Sequence, residues 1–111
     1  MPNKLMPTPL LGIYVIKNLV TNRVYIGDSG DVEFRMTNHW NQLVAGIHSN
    51  KDLQADWNRY GMANFSLTFI QTEANFDKRK DAEKDWIDRA VKAGRALYNR
   101  NLERDDGKDW R

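Results

Sequence analysis

The chain has 111 residues, 29% of them charged, with a formal charge of +2 and a pI near 9.0; this suits one compact domain with little room for a separate targeting module. Acids and bases are interspersed, which permits nucleic-acid binding without a basic block that demands it. The absence of cysteine excludes disulfides, thiolate zinc sites and cysteine nucleophiles and suits a reducing cytoplasm, and no apolar run approaches the length of a bilayer span.

Residues 1–10, interrupted by prolines, lack the apolar core of a signal peptide and read as an N-terminal arm. Two β-type runs follow at residues 11–17 and 23–27. They are joined by Asn18-Leu19-Val20-Thr21-Asn22, whose terminal asparagines suit a hairpin turn. So short a link forbids a crossover, so the strands are expected antiparallel, with Tyr14 and Tyr25 on neighbouring strands. Asp28-Ser29-Gly30-Asp31 is a turn cluster, and Asp31 is placed to cap a helix that runs to about Ala45 and stops at Gly46. Its residues Val32, Met36, Trp40, Leu43, Val44 and Ile47 recur at helical spacing and are expected to face the sheet. Arg35 and His39, one turn apart, are expected at the edge of that stripe.

Ser49-Asn50 can cap a second helix over residues 51–60, buried through Leu53, Trp57 and Tyr60 and ended by Gly61. Phe65, Leu67 and Phe69 alternate in a third, half-buried strand over residues 64–71, a pattern that Ile70 breaks. A last helix, at about 77–93 with Gly94 as its stop, carries Ala82, Trp86, Ile87, Ala90 and Val91 as its apolar stripe. Glu83 lies on or beside that stripe, where a carboxylate is costly unless it meets a cation or opens into a cleft. Tyr98-Asn99 follows, and residues 100–111 form a polar tail. The expected fold class is α/β, a small three-stranded antiparallel sheet flanked by helices over residues 11–99.

The triplets Gly12-Ile13-Tyr14 and Tyr25-Ile26-Gly27 are separated by ten residues, with Arg35 ten positions after the second tyrosine and His39 four beyond that. His48, the segment from Leu53-Gln54 to Tyr60-Gly61, residues 64–71, Glu83 before Trp86-Ile87, and Tyr98-Asn99 continue the series. Single triplets carry little weight, but their order and spacing together resemble the GIY-YIG nuclease superfamily, in particular the catalytic domain of intron-encoded homing endonucleases. The resemblance covers residues 11–99. It implies a metal-dependent DNA endonuclease, with Tyr14 as general base and Tyr25 positioning water or sharing the proton. Arg35 would bind the phosphate and Glu83 would hold one divalent cation, Mg²⁺ or Mn²⁺. Asn99 matches the family's late asparagine, which implies support of the site or a phosphate contact. Nothing after Asn99 resembles the homing enzymes' recognition domain, so the chain reads as the catalytic module alone.

Phosphodiester hydrolysis needs an activated water, positive charge at the phosphate and relief of charge on the leaving oxygen. Taken singly, Tyr14 and Tyr25 read as strand packing, and Arg35 and Glu83 as solvated helix charges; their joint register reverses this. His39 could orient Tyr14, contact phosphate, transfer a proton, or only cap or pack. His48 sits near a helix end, where a local hydrogen bond would suffice. Lys17 and Arg23 join His48 and Asn99 as candidate nucleic-acid contacts. The two histidines, nine residues apart, lack zinc-ligand spacing. Trp40, Trp57 and Trp86 fall on core stripes, which leaves Trp110 in the tail to stack on a base. Asp28, directly after Gly27, could bind metal or cap a turn. Two alternatives stand beside the DNA endonuclease: a nuclease selective for single-stranded or branched DNA, and a catalytically silent nucleic-acid-binding module. DNA is the expected partner, with no membrane, and the chain is expected to be a monomer that can dimerise transiently.

Overall fold

The computed structural model describes residues 10–99; the expectations on residues 1–9 and on the tail with Trp110 lie outside the described residues. Strands β1 (Gly12–Asn18) and β2 (Val24–Ser29) form an antiparallel hairpin that sets Tyr14 opposite Gly27 and Ile16 opposite Tyr25. Asn18 holds the turn: its buried side-chain oxygen accepts from the Val20 and Thr21 N–H groups at 2.9 and 3.3 Å. At the other end Asn22 takes φ 67°, a left-handed conformation that asparagine tolerates better than most residues. Both asparagines of the connection therefore shape it.

Helices α1 (Val32–Ala45) and α2 (Lys51–Tyr60) follow, then a short 3₁₀ turn (Met62–Asn64), strand β3 (Phe65–Thr72) and helix α3 (Phe76–Lys92). Asp31 caps α1 by accepting from Phe34 N–H, and Gly46, at φ 81°, ends it. Asn50 caps α2 through Leu53 N–H, and Asn75 caps α3 through Lys78 N–H. Strand β3 pairs antiparallel with the free edge of β1, so the order is β2-β1-β3 and the first tyrosine lies on the central strand.

Strand alternation divides the side chains between two layers. Tyr14, Ile16, Tyr25 and Phe65 pack with Val32, Leu43, Leu53 and Trp57 beneath α1 and α2. On the other face Ile13, Val24 and Ile26 pack with Ala90 of α3. The β1–β3 register shifts between Ile13 and Tyr14, which pair with Gln71 and Phe69, so Ile70 is the extra residue of a bulge. Ile70 packs on the α3 side, and this is why an apolar residue breaks the alternation there.

Three residues assigned to buried stripes are in fact exposed. Val44 is rotated about 120° from Val32 around α1, and Ile47 lies beyond the helix end; they are 56% and 70% exposed. Val91, about 100° around from buried Ala90, also faces solvent. Among the described residues no helix is long and apolar enough to cross a membrane.

The outer edge of β2 is closed by the segment after α3. Val24 N–H donates to Ala96 O and Tyr98 N–H to Val24 O, at 3.1 and 2.7 Å. Asn99 continues this closure, donating from Nδ2 to Ile26 O and accepting at Oδ1 from Ile26 N–H, both at 2.8 Å.

Candidate active site

The two glycines of the tyrosine triplets are steric requirements. A Cβ at Gly27 would overlap Cζ and Oη of Tyr14, whose ring lies across the facing strand. A Cβ at Gly12 would overlap the Gln71 carbonyl oxygen of β3. Glycine therefore seats the tyrosine ring at one position and lets a neighbouring backbone approach at the other.

Tyr14 is 1% exposed, and its ring stacks with Tyr25 at 6.4 Å between centroids. His39 lies against both, 5.4 Å from the Tyr14 ring and edge-on to Tyr25 at 5.3 Å. The sequence reading set His39 at the edge of the α1 stripe; instead it is buried at its centre, within about 20° of Val32 around the helix, and takes the place of a core residue. Arg35, about 60° to one side, does emerge at the edge and forms a side-chain hydrogen bond with Tyr14.

A directed chain of hydrogen bonds runs from the start of α2 to Tyr14. The Asn50 N–H donates to His48 Nδ1 at 3.0 Å, His48 Nε2 lies 2.7 Å from His39 Nδ1, and His39 Nε2 lies 2.7 Å from the Tyr14 hydroxyl. A backbone N–H can only donate, so His48 Nδ1 is unprotonated and its Nε2 carries the hydrogen. His48 then donates to His39 Nδ1, and His39 donates from Nε2 to Tyr14 Oη. Both rings are held neutral. Burial is the main cause, with Arg35 adding to it for both and His48 adding to it for His39; the pKa values fall to about 3 for His39 and about 4 for His48. Tyr14 is raised well above the ordinary phenol value by burial, and further by Tyr25 and Glu83, while Arg35 works against the rise.

Glu83 reaches this centre from α3. It is buried, influences the Tyr14 hydroxyl electrostatically, and its Oε1 lies 3.9 Å from Lys80 Nζ. Asp28, for which the sequence left metal binding or turn capping open, uses its carboxylate oxygens to hold Arg79 Nε at 3.1 Å and Lys80 Nζ at 3.0 Å. The turn is closed by Ser29 Oγ accepting from Asp31 N–H.

The family description GIY-YIG catalytic domain matches residues 10–99. The chain belongs to the GIY-YIG family. Intron-associated endonuclease 1 of Enterobacteria phage T4 is 44% identical over 78 residues, covering 68% of this chain but only 31% of that relative's length. The solved catalytic domain of homing endonuclease I-TevI is 30% identical, with a TM-score of 0.69, over 78% of this chain and 96% of that one. A mutant form of the same catalytic domain matches with the same score over 90% of its length. The three-stranded antiparallel sheet with three helices is thus the GIY-YIG fold.

In this GIY-YIG domain Tyr14, Tyr25, Arg35, His39 and Glu83 converge, and His48, the weakest candidate from sequence, joins them through His39. Three other candidates do not. Lys17 shares the strand parity of Ile13 and Val15 and so belongs to the α3 face, opposite the tyrosine rings. Arg23 is engaged by Asp52 at 3.2 Å, by Asp56 at 3.9 Å and by Leu97 O, and lies over the Tyr98 ring. Asn99 spends both ends of its amide on the Ile26 backbone, so it holds the strand that carries Tyr25. Sequence reasoning missed Gln54, which accepts from His48 N–H and donates to Leu43 O, tying the relay histidine to the end of α1. A polar residue adjoining the buried Leu53 and Trp57 positions was the available signal. It also missed Arg79 and Lys80, which nothing local distinguishes from the other charges of α3.

Proposed function

We propose that this GIY-YIG domain hydrolyses DNA phosphodiester bonds as a metal-dependent endonuclease. The observation that carries the proposal is the Tyr14 hydroxyl, a buried oxygen that accepts from both His39 Nε2 and Arg35. Two donors stabilise a phenolate more than a phenol and leave the hydroxyl's own proton pointing away from both. Burial makes the ionised oxygen a strong base, and the donors offset part of the cost of forming it. In this reading Tyr14 takes the proton of the attacking water, Tyr25 orients that water, and Arg35 stabilises charge developing on the phosphate. His48 acts through His39 by fixing its tautomer.

Glu83 is the residue that would hold the cation. One carboxylate suits Mg²⁺, which retains waters and takes substrate phosphate oxygens, and Mn²⁺ would serve similarly. Among the described residues no group of three His, Cys, Asp or Glu could form an all-protein cage, which agrees with a cation shared with substrate. When bound, such an ion neutralises charge on the scissile phosphate and the leaving oxygen. The names of the related intron-associated and homing endonucleases support DNA as the substrate class.

The test is incubation of the purified chain with duplex, single-stranded and branched DNA, in Mg²⁺ or with a chelator. Cleavage of DNA is expected, lost on chelation and in Glu83→Gln. Arg35→Ala should lower turnover by about 100-fold or more while DNA affinity falls much less. Cleavage indifferent to chelation, or full activity in Glu83→Gln, overturns the proposal. The same assay reads which form of DNA is preferred.

A further inference from the structure

Beside the tyrosine–histidine chain lies a second charge cluster, built from Asp28 at the end of β2 and from Arg79, Lys80 and Glu83 on α3. The Asp28 side chain is 6% exposed, and each of its oxygens carries one cation. Arg79 is fixed in place, for its guanidinium is buried and also donates to the Glu73 and Ala74 carbonyls at 3.3 and 3.1 Å. Lys80 is held differently. Its side chain is 32% exposed, and while Nζ bonds Asp28 at 3.0 Å it stands 3.9 Å from Glu83, beyond hydrogen-bond reach but well within Coulomb range. It is an ammonium between two buried carboxylates, tied to one and attracted by the other.

We propose that Lys80 is a tethered competitor for the divalent cation at Glu83, and that Asp28 is a positioning residue that draws it aside. The inference rests on Glu83 being the cation-binding carboxylate. Without the ion, the ammonium offsets the Glu83 charge across 3.9 Å. A divalent ion at Glu83 would meet repulsion from Nζ, which would lessen if the ammonium swung away from Glu83 while keeping its bond to Asp28, or out to solvent. Asp28 can hold it off because its other oxygen is anchored by the immobile Arg79. Removing the ammonium should therefore tighten the cation site, whereas removing the Asp28 charge should release Lys80 onto Glu83 and loosen it.

The test titrates Mn²⁺ alone against the full chain and reads free Mn²⁺ by electron paramagnetic resonance, so it does not depend on cleavage. Lys80→Met should lower the half-saturating Mn²⁺ concentration about fivefold and Asp28→Asn should raise it by a similar factor. In the double variant most of the Asp28 effect should vanish, because it acts through Lys80. If Asp28→Asn fails to fold, the sign of the Lys80→Met effect decides: tightening supports the competition, and no change or weakening overturns it. An Asp28→Asn effect of equal size with and without Lys80 also overturns it, since Asp28 would then act on the ion directly. Wild type and Glu83→Gln that bind Mn²⁺ alike would remove the cation reading itself, and this inference with it.

Discussion

Tyr14 depends on one neighbour that leaves it room and one that orients its donor. Gly27 supplies room, since any Cβ there overlaps the phenol. Gly27→Ala should displace the ring, costing about 1–3 kcal/mol of stability as overpacking and lowering kcat by more than that loss of folded protein explains. Urea midpoints measured beside single-turnover rates separate the two effects, and a rate preserved in the folded variant would show that the ring can move without penalty. His48 supplies the orientation. In His48→Phe the His39 Nδ1 loses its donor, so His39 is free to protonate there and to accept from Tyr14 instead of donating. Turnover should fall about 10-fold or more, with DNA affinity nearly unchanged. An unaltered kcat would reduce His48 to a packing residue.

At the scale of elements, the site is held by strand pairing and by ends of helices. Asn50 joins two of these tasks, since its side chain caps α2 through Leu53 N–H while its own N–H sets the His48 tautomer. Asn99 acts on β2 from outside, bonding both polar groups of Ile26, the residue between Tyr25 and Gly27. Asn99→Ala should cost about 1–3 kcal/mol through the unpaired backbone groups. Its kcat in the folded state should drop less than 10-fold. The comparison of urea denaturation with saturating kinetics is decisive: intact stability with a large loss of turnover or affinity would make Asn99 a phosphate contact after all. The caps Asp31 and Asn50 and the stop at Gly46 were all legible from residue type, because capping is a local interaction. The outward turn of Val44 and Val91 was not, because a run of apolar residues at helical spacing does not say how wide a stripe its neighbours will cover.

For the molecule as a whole, the buried histidine pair links stability to pH. Histidine titrates near 6.5 when unperturbed, whereas His39 and His48 stay neutral in the fold down to about 3 and about 4. As pH falls below about 6.5 the unfolded chain binds protons before the native state does, so native stability declines. The stabilisation from the pair is complete above that pH and is lost progressively toward pH 4 and 3. Urea midpoints between pH 7.5 and 4.5 should fall in the wild type and fall less steeply in His48→Phe, which has one fewer such group. Parallel declines in the two proteins would assign the acid sensitivity elsewhere.

The sequence by itself determined the hairpin, the helix ends, the fold class and the family, and it singled out Tyr14, Tyr25, Arg35, His39 and Glu83 as candidates. These follow from turn chemistry, hydrophobic period and motif spacing, which are written over short stretches of chain. The tertiary structure alone decided the direction of the relay from Asn50 to Tyr14, the engagement of Arg23 by Asp52 and Asp56, the pairing of Asp28 with Arg79 and Lys80, and the placing of Lys17 on the opposite face. Each of these is a contact or facing across elements. A charge or an imidazole can form its hydrogen bond with many partners, and only the packing of β2 against α3 and of α1 against α2 selects which one it meets.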